Sequence, residues 1–397
     1  MTGILLAPAP SRARLRSPWW GVASLSITVF TLVTSEFLPA SMLSRISGGL
    51  HVSEGTAGQS VTVTAIAAAI AGPSLAVLLP RLDRRIVMFG LTALGVASNL
   101  LVAIAPSLWM LLIARVLLGI AVGGFWAMSL MIVAALVSPE RLGRAMTVVN
   151  VGVSVATVAA VPLGAYLGEI WGWRGVFVLT AVAGVAALAV EVLWLPSVPP
   201  PGAPGGRALL ATLRSRLVLL GLLAIALIAG GHFAGFTYIR PAAALVHGLT
   251  PSALALLLVV YGATGFVGNL VSGPLADRRL RVLVLVVPVL LGAAMVLWAT
   301  LGSSIPSAFA AAALWGLGFG ALPTTIQTWM ARVEPERLEA IGGLAVAMFQ
   351  VAIALGAVVG GVLVDTIDVQ ATLLTGGIAA AAGGTLMFAL RKFPPVR

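Results

Sequence analysis

The sequence has no cysteine, three histidines and few charges, with only 9% of its 397 residues Asp, Glu, Lys or Arg. Without cysteine there is no disulfide, thiol nucleophile or thiolate metal site. Three histidines, none at His-x-x-x-His spacing, leave no basis for a metal centre. The apolar runs hold no paired carboxylates and no Ser/His/Asp set at one depth, so neither an enzyme nor a resident cofactor is expected. Charge this sparse cannot coat a water-soluble globule of this length.

What is present is apolar: 60% of the residues are hydrophobic and the mean hydropathy is +1.11. Lipid is therefore the solvent. A crossing of ~30 Å of hydrocarbon takes about 20 residues, and helices satisfy their own backbone there. Runs bounded by charge, proline and glycine give twelve expected spans, at 18–43, 54–79, 86–105, 108–136, 143–168, 175–195, 217–243, 252–275, 282–301, 306–331, 340–364 and 369–390. No room remains for a separate soluble domain. Arginines ahead of the first run mimic a signal peptide, but Ser17 to Leu43 is too long for an h-region and lacks a cleavage site.

The formal charge of +11 would suggest nucleic acid in a soluble protein, but here it sits in short turns. Arg12/Arg14/Arg16, Arg81/Arg84/Arg85, Arg141/Arg144, Arg207/Arg214/Arg216, Arg278/Arg279/Arg281, Arg332/Arg337 and Arg391/Lys392/Arg397 recur after every second span. Only Arg45, Arg174 and Arg240 fall on the other side. The positive-inside rule then expects both termini and the central loop in the cytoplasm of a bacterial inner-membrane protein, with lipid and not nucleic acid as its surroundings.

Two turns echo each other along the chain. Val137-Ser-Pro-Glu-Arg-Leu142 is repeated as Val333-Glu-Pro-Glu-Arg-Leu338, and Pro80-Arg-Leu-Asp-Arg-Arg85 as Pro274-Leu-Ala-Asp-Arg-Arg279, at offsets differing by two residues. The expectation is an all-α membrane protein of twelve helices in two related halves, 1–195 and 217–397. A cytoplasmic linker, 196–216, joins them; its stretch Pro196 to Gly206 is so rich in proline and glycine that neither helix nor packed core is expected there. Parallel six-span repeats are the architecture of the major facilitator fold, whose substrate site lies near the midplane between the halves.

Arg115-Val-Leu-Leu-Gly119 with Gly123-Gly124 resembles the fourth-helix motif of major facilitator drug:proton antiporters, and Gly273-Pro-Leu-Ala-Asp277-Arg278 resembles their cytoplasmic gating motif. Gly152, Pro162, Gly164 and Gly168 are similar to the antiporter motif of the fifth helix, with Val161-Pro162 in place of Gly-Pro, and the first-half gating motif has Pro80 where an Asp is usual. Ser35-Glu-Phe-Leu-Pro39, Ser53 to Ala65, Gly123 to Ser129, Phe236-Thr-Tyr-Ile-Arg-Pro241, Gly172-Trp-Arg174 and Leu195-Pro-Ser-Val-Pro199 resemble bacterial purine ribonucleoside efflux pumps. The resemblance spans the whole chain and is densest in the first half. It implies a proton-coupled exporter, with nucleosides such as inosine and guanosine as the expected substrates and sugar and amphipathic-drug exporters as near relatives; a monomer is expected.

Glu36 is read as the one carboxylate well inside an apolar run, where a charge costs at least ~2.5–3.5 kcal/mol on insertion scales. Such a group can carry a proton between the membrane faces, or pair with a cation, or cap a kink before Pro39. Arg115 is the one basic residue deep in a span. Counting ~1.5 Å per residue puts Glu36 about 24 Å beyond Trp20 and Arg115 about 9 Å beyond Trp109, on entering from opposite faces, so both fall in the outer half. Arg115 either pairs with Glu36 in some states or caps carbonyls within the first half.

A purine nucleoside asks for aromatic faces, amides and hydroxyls. Gln59, Thr62, Trp126, His232, Phe236, Trp315, Gln327 and Gln350 supply these types, with Gln59/Thr62 and His232/Phe236 each on one helical face. Packing is the competing role for the aromatics, and a second proton site or a helix-to-helix hydrogen bond for His232. Gly119 and Gly123 have the spacing of close helix contact. Asp277 and Arg278 are candidate gate contacts, and Pro162 and Gly164 a candidate flexible seam.

Overall fold

The computed structural model describes residues 17–200 and 205–390, apart from the side chains of Ala40, Ala76, Val161, Pro162, Ala165 and Pro251. The arginines at 12, 14 and 16 and the basic residues at 391, 392 and 397 lie outside the described residues, as do positions 201–204 of the linker and the side chain of Pro162.

Every regular element among the described residues is helical. Two long helices are each interrupted by non-helical backbone, at Gly172 in Leu142–Trp194 and at Arg279 in Pro251–Leu301. Gly172 adopts φ +67°, a left-handed conformation that glycine enters without a Cβ clash. Division at these kinks gives twelve long segments, numbered α1 to α12: Pro18–Ser41, Glu54–Leu78, Arg84–Ile104, Leu108–Leu136, 142–171, 173–194, Arg216–Thr237, 251–278, 280–301, Ile305–Val333, Leu338–Thr366 and Val369–Ala389. Among the described residues, ten stretches are long and apolar enough to cross a membrane; one of these, Ser252–Leu301, has 50 residues and holds both α8 and α9. The protein is a multi-pass membrane protein.

Helix starts follow local chemistry. Ser53, Asp83, Thr250 and Asp368 each accept a bond from a backbone N–H in the first turn of α2, α3, α8 and α12. Two expected spans end early. The first span stops at Ser41, and a separate short helix, Leu43–Leu50, lies before α2. The seventh stops at Thr237, ahead of a short helix at Ile239–Ala244.

The linker departs from expectation at Val198. Val198 is buried, its N–H bonds Asp83 and its carbonyl receives the N–H of Arg84. The chain then forms a helix, Gly205–Leu213, packed against α2 and α11. Proline removed donors from this stretch, and the Asp83 carboxylate accepts from the Val198 N–H and the Ser197 hydroxyl. Partial burial of Asp83 would raise its pKa, but the Ser197 hydroxyl, the N–H groups of Arg85 and Val198 and the Arg85 charge together hold it below the ordinary value. This contribution to stability is present at neutral pH and is lost as pH falls through that lowered value.

Within the first half, α4 lies so close to α2 that a Cβ on Gly119 or Gly123 would run into the backbone of Thr64 or Ala68. The halves meet where α2 and α4 face α11, and where α5 faces α8 and α10. Gly123→Ala is expected to overpack the α2–α4 contact and cost about 1–3 kcal/mol, seen as a lower melting temperature in detergent. Gly90→Ala, at a site where an added Cβ meets nothing within 4 Å, is expected to be neutral or stabilising in the same measurement.

Candidate functional site: the seam between the halves and the polar groups beside it

The arginine-rich turns fall on one face of the bundle, and the bonds between halves start there. Arg84, at the start of α3, is fully buried and pairs with Glu339 at the start of α11, one bond running Nη2 to Oε2 at 2.8 Å. Its remaining donors reach the carbonyls of Leu79 and Leu82 at 2.7 and 2.8 Å. On the other flank, Asp277 accepts from the Gly143 N–H at 2.6 Å and from Arg144 Nε at 3.0 Å, at the N-terminus of α5. A carboxylate there also complements the helix dipole. Arg332 ties the carbonyls of Ala276 and Asp277 to α10, each at 2.9 Å. Arg278 is exposed and takes no part in these bonds.

Deeper in the bundle the contacts become neutral. Thr147 and Asn269 exchange bonds with each other's carbonyls at 3.1 and 3.3 Å, and Asn150 donates to Thr324 and to Gln327 at 3.0 and 2.9 Å. Gln350 reaches the Ala65 carbonyl at 3.4 Å. Beyond Gln350, toward the opposite face, no hydrogen bond or ion pair joins the halves among the described residues. Gln327 and Gln350, expected to meet substrate, are thus engaged in the seam.

Glu36 and Arg115 are brought together, although not as an ion pair within 4 Å. Arg115 is buried, donates from Nη1 to the Ser35 carbonyl at 2.8 Å and lies 5.1 Å from the Phe177 ring centre. Its Nε and Nη2 have no partner among the described residues, and its charge acts on the half-buried Glu36. Asn99 completes this polar cluster by donating to Ser35 Oγ at 2.8 Å. The alternative of carbonyl capping therefore coexists with a Glu36–Arg115 interaction. Glu36 is not the one deep carboxylate. Glu191 in α6 is fully buried and accepts from Thr28 at 2.7 Å and Thr92 at 2.8 Å. Its position inside the apolar run at 175–195 was the signal available in the sequence.

The second half contains an aromatic cluster. His232 is fully buried, stacked on Phe319 at 3.9 Å and on Phe236 at 5.3 Å, and it accepts at Nδ1 from the Trp315 indole at 2.9 Å. Tyr261, Trp298, Phe233 and Phe349 extend the cluster across α8, α9, α7 and α11, and sequence reasoning had selected none of them. Trp315 is wholly buried, whereas Phe236 and Phe319 are half-buried. Trp126 lies apart, in the first half, edge-on to Phe125. Gln59 and Thr62 are exposed on α2. Gly164, expected in a flexible seam, is seated against Leu38 and Ser41 of α1.

Set beside known proteins, residues 25–342 match the Major Facilitator Superfamily. The chain belongs to the major facilitator superfamily. This facilitator is 36% identical over 362 residues to the purine ribonucleoside efflux pump NepI of Escherichia coli (strain K12), covering 91% of each chain. It is also 36% identical over 400 residues to the transcription regulatory protein OpdE of Pseudomonas aeruginosa, covering 99% of this chain and all of that one. The crystal structure of the human organic anion transporter MFSD10 (TETRAN) superposes with a TM-score of 0.73 at 19% identity, over 93% of this chain and 99% of that one, a likeness of fold. The facilitator is a transporter, not an enzyme.

Removal of one partner from the buried Arg84–Glu339 pair leaves an uncompensated charge, which costs about 3–5 kcal/mol. Arg84→Gln is expected to lower the melting temperature in detergent sharply, and the double variant Arg84→Gln/Glu339→Gln to recover most of the loss.

Proposed function

We propose that this facilitator exports purine ribonucleosides such as inosine and guanosine across the bacterial cytoplasmic membrane in exchange for protons, as a monomer. The observation that carries the mechanism is the one-sided seam: the halves are bonded from the arginine-rich face as far as Gln350 and no further among the described residues. By the positive-inside rule that face is cytoplasmic, with both chain termini on it, so this arrangement opens outward. Alternating access then requires the Arg84–Glu339 and Asp277 contacts to break as the opposite ends close.

The substrate class rests on the similarity to NepI, over 91% of each chain, and on a rigid aromatic cluster suited to a planar base. His232 and Phe236 are the members of the expected set best suited to receive such a base. Trp126, Gln59 and Thr62 would contribute from the first half.

Proton exchange is assigned to Glu36, with Arg115 as the charge that responds to it. Protonation of Glu36 removes its attraction for Arg115, whose Nε and Nη2 have no hydrogen-bond partner among the described residues to hold the guanidinium in place. Coupling follows if substrate binding and protonation favour opposite arrangements of this pair. The name of the Pseudomonas relative points to transcription, but the arginine turns here are short, and Arg84, Arg144 and Arg332 are spent on intramolecular bonds.

Inside-out vesicles containing the protein should accumulate labelled inosine when a proton gradient is imposed, and Glu36→Gln should abolish the gradient-driven component. Full gradient-driven transport by the variant would remove Glu36 from the mechanism. Failure of unlabelled nucleosides to compete with the true substrate would favour a sugar or an amphipathic drug.

A further inference from the structure

The indole N–H of a tryptophan can only donate. Trp315 Nε1 points it at His232 Nδ1, 2.9 Å away, so that nitrogen must carry its lone pair and the imidazole proton must sit on Nε2. The two faces of the imidazole are taken up by rings, Phe319 nearly parallel at 13° and Phe236 at 22°. Phe233 meets it edge-on, at an interplanar angle of 77°. One edge remains, and it carries the Nε2 proton. That donor has no partner among the described residues although the side chain is fully buried. A buried N–H without an acceptor is costly, and the aromatic neighbours offer only weak ones. Elsewhere in the bundle, the Glu191 and Asn150 side chains find partners on neighbouring helices, whereas Arg115 Nε and Nη2 share the condition of His232 Nε2.

We propose that His232 is the polar reader of the aromatic site, donating from Nε2 to an acceptor on the edge of a planar base, and that Trp315 is a positioning residue that fixes the tautomer. This rests on the nucleoside reading given above and sharpens it. A 6-oxopurine presents two edge acceptors side by side, N7 and O6, and an in-plane donor suits either. The wholly buried Trp315 thereby has a task other than stacking on the base. The partly exposed Phe236 and Phe319 hold the imidazole plane and so set the direction from which an acceptor can approach. The phenol oxygen of Tyr261, also buried without a partner, is a second polar group in the same cluster.

Two measurements test this separately. In ligand-free protein labelled with ¹⁵N-histidine, His232 is one of three histidines and is assigned from the spectrum of His232→Gln. The expected signal is a neutral ring protonated at Nε2, with a redistribution toward Nδ1 in Trp315→Phe. A ring protonated at Nδ1 in the wild type overturns the proposal whatever the protein transports.

The second measurement compares equilibrium binding of inosine, 7-deazainosine, which lacks the N7 acceptor, and purine riboside, which lacks O6. Wild type is expected to bind one of the two analogues roughly tenfold more weakly than inosine, the worth of one buried hydrogen bond. That preference should vanish in His232→Leu, return in part in His232→Gln, whose amide keeps a donor at the same reach, and shrink in Trp315→Phe. Equal binding of all three ligands by wild type, or a preference that survives in His232→Leu, overturns the proposal. Failure of wild type to bind inosine or guanosine at all overturns the nucleoside reading instead, and leaves the tautomer measurement to decide the His232–Trp315 relation.

Discussion

An ion pair buried between two helix bundles in a medium without competing water is hard to break from one side only, and the Arg84–Glu339 pair is of this kind. Each charge is tolerable because the other is present. Arg84 also satisfies the carbonyls at the end of α2, so the same guanidinium that joins the halves closes the turn from which it springs. The opposite flank solves the same problem differently: the Asp277 carboxylate meets backbone N–H groups at the start of α5, together with the Arg144 side chain. Backbone donors cannot be lost by side-chain rotation, so the two flanks resist opening by different means.

The internal duplication explains why these contacts come as a pair. The repeated turns end in Leu142-Gly143 in one half and Leu338-Glu339 in the other, and the repeated Asp-Arg steps are Asp83-Arg84 and Asp277-Arg278. In the α8–α5 contact the Asp of the step is used, against the backbone of Gly143. In the α2–α11 contact Glu339 stands where Gly143 stands in the other half, and the Arg of the step is used instead. Asp83 is thereby released to cap α3 and to anchor the linker at Ser197 and Val198. The step contributes a positive side chain on one flank and a negative one on the other.

The helices themselves were legible because lipid imposes long apolar runs and because serine, threonine and aspartate caps stand at their starts. The fourth span, 108–136, matches its helix end for end. The nearness of Glu36 and Arg115 was also legible, since depth along two helices can be counted. What could not be counted was rotation about each helix axis. Gln327 and Gln350 have the chemistry of ligand contacts, but their helices turn them toward Asn150 and Ala65. Glu191 looked unremarkable because its partners, Thr28 and Thr92, lie on two distant helices. In the linker, residues 196–200 are non-helical as expected, and only the burial of Val198 was not legible. Proline and glycine argue against regular structure, yet say nothing of the Asp83 carboxylate that receives the Val198 N–H and the Ser197 hydroxyl.

Whether the bonds at the arginine-rich face hold the opposite face open can be measured directly. Because the chain has no native cysteine, spin labels can be placed without altering a background. Pulsed dipolar distances between labels at Ser53→Cys and Ser252→Cys, at the open ends of α2 and α8, would be measured in lipid nanodiscs with and without Arg84→Gln/Asp277→Asn. The account predicts a long distance in the otherwise native protein and a marked growth of a shorter-distance population once both contacts are removed. A distance distribution unchanged by their removal would contradict it.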